Sequence, residues 1–531
     1  GSARLRLDTR DGRFSRRNPS SPYYGLLSKN TPIWISVDPG DGMHTRFQGF
    51  VNEWPTRWDR SGNDSTVPIT CAGILRRLAQ GSRAKSPLRR SIPESNPIAY
   101  FPLEEGPAAV RPLPHAAGLG TARVASGPAY RPGQPPGPRG EDDLYGITPV
   151  STAATYDADR FTKSGVVLNV PDHDADGVEI VTMMIRWAPF DAPAALENAD
   201  VVHVDHRVEF SGGGIASMRI MLEAVKQYDI ENSIFGGIVV TYFDSAQVDL
   251  NSGLLSSDLN DILDGDWHEV QVRTIQNGAD VDVELWLDGE LDLFASETIA
   301  ATTLGTIERV VLGATGRYSN PFLVNVYEGT YEASHVAVHT DNTVGQFFEA
   351  MTGYVGEQAH TRIARLCAEE NIPYFSLAST SVTLGAQPLA TAVDCIREAE
   401  AADHGVVYEK GFGLGYQSRA ERENATVGLS LDFNQGHIAV EPEPADDDQR
   451  TRNLWTVSRT DGGEASYEQT DGPMGSTTAG LYDDSVTLNV QIDEHLPFHA
   501  RYLVHLGTVD EDRWPVIDLE MAAAPDLIPG W

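Results

Sequence analysis

The chain has 531 residues, too many for one hydrophobic core, and its 41% hydrophobic content supports about two to four packed domains and excludes a disordered tail. Its 40 Lys and Arg face 76 Asp and Glu, a net charge of −36 that repels phosphate backbones and excludes duplex nucleic-acid binding while leaving DNA free to pass nearby. The three cysteines, Cys71, Cys367 and Cys395, form no CxxC pair, so buried thiols are expected, not a disulfide framework or a zinc site. No apolar run approaches the roughly 18 residues of a membrane-crossing helix.

Residues 1–95 read as a β module. "ARLRLDTRDGRF" puts Leu5 and Leu7 on one face and turns at Asp11-Gly12. "TPIWISVDPGDG" and "RFQGFVNEWPTRWD" are further strands, and "STVPITCAGILRRLAQ" is a strand running into a short helix. Because the first residues already alternate, the sequence is expected to begin inside a strand and the natural protein to extend upstream. Residues 83–95 are polar, basic and broken by proline, which predicts a linker.

From residue 97 the texture changes to regular short strands separated by turns, which predicts a β-sandwich over 97–345 with a long Pro- and Gly-rich loop near 131–143. Its first strand, in "AYFPLEEG", and its last, in "YEASHVAVH", are expected side by side, so that the sandwich is an insertion with adjacent ends. Residues 355–531 read as α+β. One helix places Ile363, Leu366 and Cys367 on a face before Pro373, and a second places Leu389, Val393 and Ile396 at helical spacing with Gly405 as its C-cap. "GVVYEKGFGLGYQSR" reads as a hairpin and "VGLSLDF" as a strand after it.

Few residue constellations carry chemistry. Asp172, Asp174, Asp176 and Gly177 match the first half of a calcium loop, but its twelfth position is Met183 and strands flank it, which favours a solvated hairpin turn. His203 and His206, three apart in a strand, point to opposite faces and disfavour a shared metal. Glu104/Glu105 and Asp142/Asp143 are adjacent acids of the kind that is ordinarily solvated, although paired carboxylates also serve glycoside hydrolysis. Gly411, Gly413 and Gly415 lack the dinucleotide-binding pattern and sit in the hairpin. Asp446, Asp447 and Asp448 have Arg450 and Arg452 as local salt partners. No catalytic, cofactor-binding or metal site is expected.

Residues 7–33 ("LDTRDGRFSRRNPSSPYYGLLSKNTPI"), 69–82 ("ITCAGILRRLAQGS"), 86–92 ("SPLRRSI") and 98–106 ("IAYFPLEEG") resemble, in that order, minor tail proteins of actinobacterial long-tailed phages and prophages. Residues 446–453, 481–490 and 499–521 continue the resemblance across nearly the whole chain. Within it, "AYFPLEEG", "GDWHEVQV", "VELWLDGE" and "VVLGA" resemble a laminin-G-like, concanavalin-type jelly roll. In that fold Trp267 and His268 open a core strand, and Trp286, Asp288 and Gly289 lie at a strand and its turn. The part from Asn453 onward resembles the last domain of tail hub proteins.

The resemblance implies a mainly β fold with some α+β, built from β-barrel hub domains and an inserted concanavalin-like sandwich. It implies a virion protein at the distal tip of the tail, closing the tail tube as a homotrimer. The implied partners are the distal tail protein ring, the tape measure protein and the fibres, with DNA passing through the lumen without specific binding. The jelly roll would contact host cell-surface glycan. No peptidase or lysozyme domain is recognisable, so the chain is expected not to be an enzyme. The alternative is a glycosidase-like, carbohydrate-active enzyme carried on the tail.

Overall fold

A computed structural model describes residues 1–40, 42–61, 64–80, 86–105, 111–124, 164–187, 200–202, 207–211, 217–226, 234–243, 249–257, 267–300, 303–314, 331–376, 378–445, 449–460, 462–511, 513–520, 523–524 and 527. The fold is mainly β with some α. The chain divides into two compact units, one formed by Gly1–Ala84 together with Val355–Trp531, the other by Lys85–Tyr354.

In the first unit, strands Ser2–Asp8, Ser65–Ala72, His44–Val51 and Thr31–Val37 lie in that order in an antiparallel sheet, with Arg57–Trp58 also against Ser65–Ala72. The period-2 alternation of Ser65–Ala72 buries Val67, Ile69 and Cys71, while Leu5 and Leu7 pack partly against them. A second core joins the helices Ala359–Glu369 and Ala392–Asp403 to Phe50, Ile74 and Leu78 of the amino-terminal segment, so the two segments fold on shared apolar surface. Helix Ala359–Glu369 buries Ile363, Leu366 and Cys367, and also Arg362, which the apolar pattern does not mark. The Arg362 guanidinium is paired with Glu357 at 3.1 Å and donates to the Gly385 carbonyl at 2.8 Å.

Helix Ala392–Asp403 ends differently from expectation. His404, not Gly405, takes the left-handed position, at φ 56°. Gly405 is needed for another reason: a Cβ there would stand 2.4 Å from the Tyr416 hydroxyl. "GFGLG" is a hairpin, Val406–Lys410 against Gly413–Gln417. "VGLSLDF" forms no strand, because its apolar residues meet no sheet edge, and Val427 is left exposed. A three-stranded sheet, Leu454–Arg459 between Glu464–Glu468 and Asp483–Leu488, follows, and then the helix Leu496–Thr508, which the sequence reading missed.

The second unit is a two-sheet sandwich. Glu290–Ile299, Asp280–Leu287, Trp267–Asn277, Val178–Trp187, Tyr331–His339 and Ala99–Phe101 form one sheet in that order. The other runs Asp249–Ser257, Ile234–Phe243, Ser217–Lys226, Arg207–Ser211, Thr306–Ala314, Ser164–Asn169 and Thr121–Val124, with Asp200–Val202 beside Ser217–Lys226. Val181, Met183, Val270, Val272 and Leu285 of the first sheet share a core with Val166, Leu168, Val310 and Leu312 of the second. The first and last strands pair directly, Phe101 opposite Val336 and Ala99 opposite Val338.

The expected linker at 83–95 is instead the helix Pro87–Glu94, capped by Ser86 with Pro87 in its first turn. Leu88 and Ile92, one helical turn apart, are buried against Tyr100, Met184 and Trp267 on the outer face of the first sheet. Residues 340–354 cross the same face. Gly345 donates to Gln271 Oε1 at 2.8 Å, and Gln271 donates to the Thr343 carbonyl at 3.0 Å. With both faces covered, the sheet buries polar side chains that an open face would solvate.

Candidate functional site

Among the buried polar side chains of the sandwich, three clusters centre on the carboxyl groups of Glu104, Glu179 and Glu269. Glu104, read from sequence as solvated, has a side chain only 6% exposed. It accepts from Ser86 Oγ, pairs with Arg89 at 3.0 Å and faces His335 Nε2 at 3.3 Å, while Tyr100 Oη meets His335 Nδ1 at 2.7 Å. Tyr100 donating to Nδ1 and Nε2–H donating to the carboxylate would satisfy both ring nitrogens. Burial opposes the Glu104 charge, but His335, Ser86 and Arg89 outweigh it and hold the carboxyl down to about 2. His335 sits at φ 49° where the pairing of Tyr331–His339 shifts register. Its neighbour Glu105 accepts from the Leu113 N–H, at 2.7 Å.

The second group is His173 with Glu179, 3.0 Å apart, with both side chains almost fully buried. Burial raises the Glu179 carboxyl, while His173 and the Ile307 N–H pull it down. The turn "PDHDADG" therefore turns its histidine inward, while Asp172, Asp174 and Asp176 are exposed. The third is Glu269, fully buried under residues 347 and 348. Burial, with the nearby Asp288 charge, pushes it up to about 8 against the pull of the Phe347 and Phe348 N–H groups. Those N–H groups face the carboxyl, but neither oxygen closes a well-formed hydrogen bond. Trp267 packs in the core, His268 meets Asp288 at 2.7 Å, and Asp288 and Gly289 make the left-handed turn before Glu290–Ile299. These groups have almost no solvent access, so their chemistry holds the fold.

The accessible candidate is a groove of about 620 Å³ in the first unit. Its rim strand is Thr31–Val37, at the edge of its sheet, where Ile33 and Ile35 turn one way and Trp34 the other, leaving the indole 59% exposed. Trp34 meets Phe412 edge-on at 4.7 Å, and Phe50 lies 5.3 Å from the same ring. The Arg77 guanidinium sits 5.1 Å over Phe50. Ile74, Leu78 and Ile372 complete the apolar wall, and Glu370 and Asn371 stand at the rim. Phe412 follows the left-handed Gly411, so the tight hairpin turn is what delivers the ring. Aromatic faces edged by a cation and a planar amide make a binding surface, without a nucleophile and base side by side. The sequence carried one signal for it: a tryptophan where strand alternation points away from the core.

Other sequence candidates fall elsewhere. His203, His206, Asp142, Asp143, Asp446, Asp447 and Asp448 lie outside the described residues. Arg452, expected to pair with the local aspartates, meets Asp484 at 2.9 Å. The thiols of Cys71, Cys367 and Cys395 are buried and form no disulfide. Among the described residues no group of three His, Cys, Asp or Glu could hold a metal ion. His404 and His499 touch at 2.9 Å, and burial with neighbouring charge holds them at about 3 and about 4, so the pair is neutral at pH 7.

No protein-family model matches the chain, and no curated protein matches it. Solved structures similar to it include the receptor-binding domain of botulinum neurotoxin type G, at 10% identity and a TM-score of 0.28 over 61% of this chain and 66% of that one. The chain thus spans just under two thirds of that domain. Alginate lyase Aly36B, in complex with an alginate tetrasaccharide, is similar at 11% identity and a TM-score of 0.25 over 41% of this chain and 96% of that one. The CBM2 module of the evolved Dit of Lactobacillus casei BL23 phage J-1 is similar at 11% identity and a TM-score of 0.23 over 45% of this chain and 94% of that one. The expectation that the chain is not an enzyme is corrected by this comparison, since alginate lyases and a sialidase stand among the structures it is similar to.

Proposed function

We propose that this chain is a hub-type component of a phage tail tip, with the sandwich as the part that meets host-surface glycan. The observation that carries the reading is the split body. Gly1–Ala84 and Val355–Trp531 fold on one core, and a complete two-sheet sandwich is spliced between them with its first and last strands paired. Such an insertion adds an adhesive module without interrupting its scaffold. The ordered resemblance of residues 7–33, 69–82, 86–92, 98–106, 446–453, 481–490 and 499–521 to minor tail proteins supports the same reading. On it, the scaffold is a homotrimer that meets the distal tail ring, the tape measure protein and the fibres. The net charge of −36 suits a lumen through which DNA slides without sticking.

The test is to locate the chain in the particle by cryo-electron microscopy and to measure adsorption of particles whose sandwich has been excised. A three-fold ring at the tail tip and reduced adsorption are expected. The chain found in the head, in a six-fold ring or as a lone fibre would overturn the tail-hub reading. Unchanged adsorption would overturn the glycan-contact reading alone.

A further inference from the structure

A second surface of the first unit is left open in the same way as the groove. Residues 425–445 run antiparallel to residues 509–511 and 513–520 as an irregular ribbon. The Ala439 N–H donates to the Asp518 carbonyl at 2.8 Å, the Glu520 N–H to the His437 carbonyl at 3.0 Å, and the Ala445 N–H to the Arg513 carbonyl at 2.7 Å. No described residue of either segment is fully buried. The ribbon nevertheless presents Val440, Trp514, Val516 and Ile517 to solvent, with Trp514 46% and Val516 66% exposed. A two-stranded ribbon without an apolar face covered is marginal in water, and a contiguous exposed apolar patch marks a contact surface.

We infer that the ribbon of one copy docks in the Trp34 groove of a second copy. The two surfaces are complementary in three respects. The groove has room for an indole and a branched aliphatic chain, and no described ribbon residue lines it within its own molecule. On the ribbon Asp510, Glu511, Asp518 and Glu520 outnumber Arg513 around the apolar residues, while at the groove Arg77, with Arg76 on the same helix, outweighs Glu370. Strand Thr31–Val37 is a sheet edge with backbone groups available on one side, and the ribbon is extended chain that can lie along it. Because the two patches differ, the contact is head-to-tail and closes into a ring or runs on as a filament. It stands whether or not the chain belongs to a tail tip; in a tail tip it is the contact between hub subunits.

The test is sedimentation velocity of the purified full chain over about 0.1–100 μM, a span that covers micromolar affinity, with Trp34→Ala and Trp514→Ala beside it. The wild type is expected to associate with concentration, and each variant to weaken association at least about tenfold, as hot-spot tryptophans do. Mixing the variants is the decisive arm. Trp34→Ala keeps the ribbon and Trp514→Ala keeps the groove, so the mixture should give one-to-one dimers and nothing larger. Circular dichroism checks that both exposed substitutions leave the fold intact, and Arg77→Glu with Ile517→Asp serve if either does not. A wild type that stays monomeric throughout, or variants that associate like the wild type, would overturn the contact. Head-to-tail association by a chain that is not found in a virion would keep the contact and remove only the tail-tip role.

Discussion

Replacing Glu269 with glutamine should stabilise the sandwich at neutral and alkaline pH. The side chain is fully buried, and burial raises its carboxyl from 4.5 to about 8. A carboxyl whose folded value is raised contributes stability that is complete below the unfolded value and is lost as pH rises toward the folded one. The wild type should therefore lose about 1.4 kcal/mol per pH unit through this group between pH 4.5 and about 8 and then level off. Glutamine mimics the protonated acid in shape and does not titrate. The difference should be near zero at pH 4.5, of order 3 kcal/mol at pH 7 and of order 5 kcal/mol above pH 8. The assay is urea unfolding of the full chain across this pH range, followed by hydrogen exchange in peptides covering Val178–Trp187 and Trp267–Asn277. Parallel pH slopes for wild type and variant, or a variant weaker than the wild type at pH 8, would refute the argument, because either would mean that the carboxylate is solvated or paired.

Leu88→Ala should cost about 2–5 kcal/mol of sandwich stability in the same unfolding assay, the range for a fully buried leucine; a loss under about 0.5 kcal/mol, as at a surface position, would return residues 83–95 to a linker. Gly345→Ala should destabilise by roughly 1–3 kcal/mol, since Gly345 has φ 66° and a Cβ there would stand 2.9 Å from the Gly289 Cα; an unchanged thermal midpoint would contradict this. Replacing Lys85–Tyr354 by a short Gly/Ser linker should leave Gly1–Ala84 and Val355–Trp531 folded together, read by circular dichroism and a cooperative melt; loss of all soluble protein would show that the two units depend on each other. Calcium titrated into the full chain should give no calorimetric signal from the exposed Asp172, Asp174 and Asp176, and micromolar binding abolished by Asp174→Ala would reverse that reading.

The sequence alone determined the elements whose signal is local. Period-2 alternation marked Ser65–Ala72, helical spacing marked Ala359–Glu369 and Ala392–Asp403, and turn residues marked the hairpin at Gly411. Fold class followed, because the number and spacing of strands are properties of the chain itself. What covers each face is not. Glu104 and Glu105 are neighbours of one type, yet one is buried by a histidine some 230 residues away and the other lies at the surface. Glu269 and Gln271 alternate with Val270 and Val272 as on a half-solvated strand, and only the segment 340–354 laid across the sheet makes them buried. The helix at Pro87 was hidden because arginines and prolines surround the two residues, Leu88 and Ile92, that pack. The groove at Trp34 exists because a strand, a short helix and a hairpin from distant parts of the chain meet there. Alternation and propensity are decided within a few residues, whereas desolvation, charge pairing and concavity depend on which surfaces the folded chain brings together.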